Sequence, residues 1–151
     1  MNLILAAISP SRSRPKSSPA AALAEDFLAR ARRYTPCESQ FFSTETALLT
    51  WLNRQADRTA PKLILLDSRG TQFTSEDFAG HLGALRDSGT RTVVLAIGPA
   101  DGWSAEARRR AHLLFSLGRI TLPHELARAV LAEQIYRALT ILAGHPYHSG
   151  H

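Results

Sequence analysis

The chemistry this chain could perform is densest at its end. The last residues read GHPYHSGH, so His145, His148 and His151 stand beside Pro146 and Tyr147. Histidines three apart can chelate a metal, and an imidazole beside a phenol can also move protons near neutral pH. The metal reading is weak, because no cysteine or carboxylate lies nearby in sequence to complete a ligand set. No metal is expected.

Other segments carry weaker signals. IGPADG, Ile97–Gly102, is a glycine-bracketed turn that could form a phosphate nest or only join a strand to a helix. Arg108, Arg109 and Arg110 form a basic run that is either a solvated helix face or a surface for nucleic-acid phosphate. His124 follows Pro123 at a helix start, where it either meets a ligand or sits by the cap, while His81 and His112 are expected on helix surfaces. Glu133 and Arg137 have the spacing of a helix-surface ion pair. Neither GxGxxG nor GxxxxGK[ST] occurs, so the common nucleotide cradles are not encoded.

These groups need a scaffold. The chain has 151 residues, 44% of them hydrophobic and 21% charged, the profile of one globular domain spanning 1–151. The single cysteine, Cys37, precludes an internal disulfide and is expected as a small buried residue at a strand start. The apolar run Leu3–Ile8 is too short for a signal h-region, and no stretch approaches a membrane span, so a cytoplasmic protein is expected. The net charge of +5 favours an anionic partner.

Apolar runs and helical periods alternate. Asn2–Ile8 is expected as a strand, followed by a Ser/Arg/Pro-rich mobile loop over residues 9–19. A helix over Ala20–Tyr34 and a strand over Glu38–Phe42 come next, then a helix opened by STET at Ser43–Thr46. KLILLD, with its unbroken run Leu63–Leu66, predicts a strand buried on both faces. TSED caps a helix reaching Arg86, and TVVLAI is another buried strand. SAEARRRAHLL is expected as a short helix, ITL at Ile120–Leu122 as a last strand, and the segment from Pro123 to Leu142 as a helix stopped at Gly144. The fold class is therefore α/β, a mostly parallel sheet with helices on both faces. Ligands of such sheets bind beyond the strand C-terminal ends, where LDSRGTQFT, IGPADGWS and GRITLPHE lie.

LDSRGTQFTSEDFA, LAIGPADGWS, SLGRITLPHELARAVLAEQIYRA and GHPYH occur in this order. Together they resemble the ribosomal RNA large subunit methyltransferase H family, a minimal SPOUT-class group. The resemblance covers about Leu63 to His148 well and the N-terminal strand and helix loosely. It implies a C-terminal trefoil knot, a homodimer, and S-adenosyl-L-methionine as cofactor. The implied substrate is N3 of a pseudouridine in 23S rRNA of the assembled 70S ribosome. By position it assigns cofactor binding to Leu66, Gly98, Leu117, Gly118, Arg119, Ile120, Thr121 and Leu122. It places His148, with Tyr147 beside it, at methyl transfer; the basic run Arg108, Arg109 and Arg110 is the expected RNA contact. The apolar side of the last helix, Leu131, Ile135, Leu139 and Leu142, is expected in the dimer interface.

Two departures stand out. Pro99 follows Gly98 where the family usually has a second glycine, and proline has no N–H to offer. Ser149 stands where the family tail has arginine. A non-catalytic knotted RNA-binding or ribosome-assembly protein is the alternative they support, and a plain small-nucleotide binding domain is a third.

Overall fold

A computed structural model describes residues 1–9, 18–55 and 59–149. The loop expected over residues 9–19 falls mostly outside these, as does His151. Among the described residues ten elements alternate. They are β1 (Asn2–Ile8), α1 (Pro19–Ala31), β2 (Cys37–Phe42), α2 (Glu45–Gln55), β3 (Lys62–Gln72), α3 (Ser75–Asp87), β4 (Thr92–Ile97), α4 (Ala105–Arg110), β5 (Leu113–Ser116) and α5 (His124–Leu142).

The strands form one sheet of five in the order β2-β1-β4-β3-β5. Every pairing is parallel. The unbroken apolar runs are accounted for by this arrangement. β1 and β4 lie inside the sheet, with α1, α3 and α5 packed in the cluster on one face and α2 and α4 in the cluster on the other. A strand covered twice has no polar face to show. Leu3–Ile8 and Val93–Ile97 are accordingly buried throughout.

The helices begin where side chains accept their free N–H groups. Ser18 accepts from Ala21 at 3.1 Å, Thr74 from Asp77 at 3.1 Å and Ser104 from Ala107 at 3.1 Å. Glu76 and Asp77 in the first turn of α3 add favourable charge at its N-terminus.

Several sequence expectations need correction. Ile120–Leu122 is a loop; the last strand is Leu113–Ser116, which begins within the last two residues of the segment expected as helix. α4 ends at Arg110, because the following apolar residues pair with β3 instead of continuing a helical period. Local preference loses to a sheet edge that needs a partner. His112 therefore lies between α4 and β5, not on a helix, and His81 is only partly exposed on α3. Most consequentially, Leu131, Ile135 and Leu139 are 0%, 0% and 7% exposed, consumed by the core cluster that α5 shares with α1 and α3. They are not available to a second copy. Among the described residues the exposed large apolar side chains are Leu23, Tyr34, Ile120 and Leu126.

β3 is interrupted where the ligand segments meet. Leu66 and Thr71 both pair with Phe115, so Asp67–Gly70 forms an excursion between them. Gly70 closes it. A Cβ there would lie 2.5 Å from the Leu114 carbonyl, an approach only glycine permits. Among the described residues no helix is long and apolar enough to cross a membrane.

Candidate active site

The excursion in β3 and the loops after β4 and β5 enclose a cleft of about 550 Å³ at the C-terminal end of the sheet. Leu66 and Asp67 come from β3, Gly98–Ala100 and Trp103 from the segment after β4, and Leu117–His124 from the segment after β5. Leu66, Gly98, Leu117, Gly118, Arg119, Ile120, Thr121 and Leu122, spread over more than a third of the chain, all line this one cleft. Its size falls within the range of about 300–1,000 Å³ usual for small-molecule sites.

Its floor is tightly built. Trp103 is 4% exposed and donates its indole N–H to the Leu66 carbonyl at 2.9 Å. The indole lies directly on Gly98, where a Cβ would come within 2.7 Å of the ring. Glycine is thus required by the tryptophan at this position, not by a left-handed backbone. The turn beyond it closes when Gly102, at φ +86°, donates to the Pro99 carbonyl at 2.9 Å. On the opposite wall Ser116 Oγ accepts from Gly118 N–H at 3.1 Å and donates to the Gly118 carbonyl at 3.0 Å. This side chain shapes the Leu117–Leu122 loop, whose Gly118 sits at φ +129°. Arg119, Ile120 and Thr121 form an exposed lip.

His124 opens α5 from the cleft wall, and its Nε2 is buried without a hydrogen-bond partner. Burial lowers its pKa below the usual 6.5, against the opposing pull of the Gly98 main chain and Glu125. A neutral imidazole therefore stands at the wall.

The tail lies elsewhere. Tyr147 and His148 do not line the cleft of their own chain; they fold back on α5 and α3. Tyr147 donates to Glu133 at 3.1 Å, stacks edge-on against Tyr136 with ring centres 4.7 Å apart, and carries the Arg137 guanidinium over its ring at 4.9 Å. Burial, with the Glu133 carboxylate alongside, pushes the Tyr147 phenol up and keeps it protonated. The expected Glu133–Arg137 pair is present at 2.6 Å, and it raises the Arg137 pKa. It is more than a surface pair, because both partners grip the tail.

His148 sits between Arg137, 3.0 Å from Nδ1, and Glu76, 2.7 Å from Nε2. A guanidinium can only donate, so Nδ1 must accept, and in the neutral ring Nε2 carries the proton and donates to Glu76. That bond is the main reason the Glu76 pKa is lowered. His145 accepts from the Tyr147 main-chain N–H at 3.1 Å. Among the described residues no group of three or more potential ligands could hold a metal ion.

The basic run divides. Arg108 is paired with Asp67 at 3.1 Å, while Arg109 and Arg110 are exposed. Cys37 is buried at the start of β2 as expected, and burial pushes its thiol up to about 11.

Nothing in the sequence pattern singles out Asp67, Trp103 or Ser116. The available hint was position: each lies in or beside a segment expected at a strand's C-terminal end.

Comparison with known proteins bears on the whole chain. Residues 1–148 match a family model described as "Predicted SPOUT methyltransferase". A relative from Koribacter versatilis, named ribosomal RNA large subunit methyltransferase H, is 48% identical over 138 residues, covering 91% of this chain and 94% of its own. Proteins of the same name from Brucella anthropi and Rhizobium meliloti are 55% identical over 86 residues, 57% of this chain and 54% of each relative. Among solved structures, the SpoU methyltransferase AviRb from Streptomyces viridochromogenes, crystallised with AdoMet, superposes at a TM-score of 0.51 and 14% identity. That match covers 95% of this chain and 58% of AviRb, and supports the fold alone.

Proposed function

The chain belongs to the SPOUT methyltransferase family, and from that membership we propose an S-adenosylmethionine-dependent methyltransferase acting on 23S rRNA. Its target in this reading is N3 of a pseudouridine in the assembled 70S ribosome. One observation carries the proposal: residues dispersed from Leu66 to Leu122 converge on one cleft, at the sheet end where such folds bind ligands. A relative covering nearly the whole chain is named as a ribosomal RNA methyltransferase, and the AviRb structure holds AdoMet.

The cleft fits such a cofactor. Its walls include the loops around Gly98 and Leu117–Leu122, whose main-chain groups could meet an adenine edge without a glycine-rich phosphate motif. When bound, S-adenosylmethionine supplies an electrophilic sulfonium methyl. The chain's own tasks are alignment and proton removal. Trp103 and Ser116 fix the loops that would set the alignment.

The N3 proton is assigned to His148. Its Nε2–H is held by Glu76, so Nδ1 is the nitrogen with a lone pair, and the Arg137 contact must loosen before it can accept a proton. Because the tail does not reach the cleft of its own chain, this reading includes a symmetric homodimer in which one copy's tail faces the other's cleft. Ile120 and Leu126, 76% and 42% exposed near the cleft, are the apolar residues assigned to that contact. The reading also includes the family's trefoil knot and a cytoplasmic location alongside the ribosome.

A non-catalytic RNA-binding protein is the second reading. It is favoured by two observations: Pro99 has no N–H to give a ligand, and both nitrogens of His148 are engaged. Transfer of labelled methyl to 70S ribosomes from a strain lacking the modification tests the two. Incorporation into 23S rRNA supports the enzyme; cofactor binding without transfer supports the second reading.

A further inference from the structure

Asp67 is a nearly buried carboxylate on the cleft wall, its side chain 6% exposed. Oδ1 accepts from the Arg69 main-chain N–H at 2.9 Å and from Arg69 Nε at 3.3 Å. Oδ2 accepts from Arg108 Nε at 3.1 Å. Two guanidiniums from different elements, the β3 excursion and α4, thus spend their Nε edges on one carboxylate. Among the described residues their Nη groups have no partner. The Arg69 side chain is 65% exposed and the Arg108 side chain 31%.

As a stabilising device the arrangement is poor. Exposed ion pairs contribute about 0–1 kcal/mol, and a carboxylate withdrawn from water needs its partners merely to break even. As a binding device it is well organised. The group has a net charge of one positive unit, held beside the cleft by Asp67. The unused Nη edges have the forked geometry that meets phosphate oxygens two at a time. Fixing each guanidinium in advance through Nε also reduces the side-chain ordering that binding would otherwise require.

We propose that Asp67, Arg69 and Arg108 form a cradle for one phosphodiester of the RNA strand that enters the cleft. Arg69 and Arg108 are the phosphate contacts, and Asp67 is the positioning residue that aims them. This rests on the RNA-methyltransferase reading above. It separates Arg108 from Arg109 and Arg110, which have no such anchor, and it adds Arg69, which lies outside the basic run.

The sign of one substitution is decisive. Asp67→Asn removes a negative charge, so general attraction to RNA would tighten binding. The cradle requires the opposite: affinity for 70S ribosomes should fall roughly tenfold, the scale of a charge-assisted hydrogen-bond pair. Arg69→Gln should lower the slope of log affinity against log salt by about 0.7–0.9, one phosphate contact. In the Asp67→Asn background the same change should have little further effect, since the two act as one unit. Equal or tighter binding by Asp67→Asn would overturn the cradle, as would an unchanged slope for Arg69→Gln. If thermal melts show that Asp67→Asn is unfolded, the exposed Arg69 decides by itself. Wild-type protein that neither binds nor methylates 70S particles would overturn the RNA reading and the cradle with it. A wild type that does both, with an Arg69→Gln slope unchanged, would overturn the cradle alone.

Discussion

Glu76 and His148, 72 positions apart, meet at 2.7 Å, so the first turn of α3 holds the end of the chain. The contact fixes which imidazole nitrogen carries the proton. It makes the tail a defined structural element, and its role can be tested by substitution.

If His148 takes the N3 proton, His148→Ala should lower the single-turnover methyl-transfer rate by about 10²–10⁴. Higher pH should restore part of the rate, because the imide then ionises unaided. A normal rate at saturating enzyme would remove His148 from the catalytic role.

Arg137 holds Glu133, His148 and the Tyr147 ring together. Arg137→Gln should free the tail without unfolding the sheet. A hydrogen bond to a charged group contributes about 1.5–3 kcal/mol, so the amides of Tyr147, His148 and Ser149 should exchange roughly tenfold faster or more. Unchanged exchange there would show that the network does not hold the tail.

Gly98→Ala should harm cofactor binding through Trp103. The new Cβ would lie 2.7 Å from the indole, displacing the ring that anchors Leu66. Overpacking of this kind costs about 1–3 kcal/mol. Adding Trp103→Leu should recover part of the lost stability in urea melts. No recovery would mean that Gly98 is required for another reason.

Acid should destabilise the fold through His81 and His124. Burial lowers both pKa values, helped at His81 by the neighbouring His112. The unfolded chain therefore takes up protons first as pH falls. The corresponding stability is fully present above about 6.5 and is lost below it. His81→Phe keeps a ring against Phe73 and should reduce that loss when melts at pH 7.5 and 5.5 are compared. An equal loss in the variant would exclude His81 as a contributor.

Cys37 should resist alkylation at pH 8 in the folded protein, since burial lifts its thiol to about 11. Rapid labelling without denaturant would contradict the buried placement.

What could be read in advance follows from the range of the forces involved. The parallel sheet was visible in Leu63–Leu66 and Thr92–Ile97 because burial on both faces leaves an unbroken apolar run. The cleft segments followed, since ligand loops lie beyond strand ends in such sheets. β5 was misplaced because Leu113–Ser116 carries the same apolar signal as a helix face, and only the edge of β3 decides between them. The apolar side of α5 was assigned outward, although α1 and α3 had prior claim to it. Asp67 was overlooked because its meaning comes from Arg108, 41 positions away. The double engagement of His148 by Arg137 and Glu76 likewise exists only once the tail has folded back.

The strand order has a consequence for the protein's birth. β1 lies between β2 and β4, and its Asn2 pairs with Thr92. At about 5–20 residues per second, ninety residues take roughly 5–20 s to translate. Until then Leu3–Ile8 has at most β2 beside it, once Cys37–Phe42 has been made, and the other edge of the strand is open. Until Thr92 is made the nascent chain thus carries an apolar strand with one edge open, a target for chaperones and for neighbouring nascent chains alike.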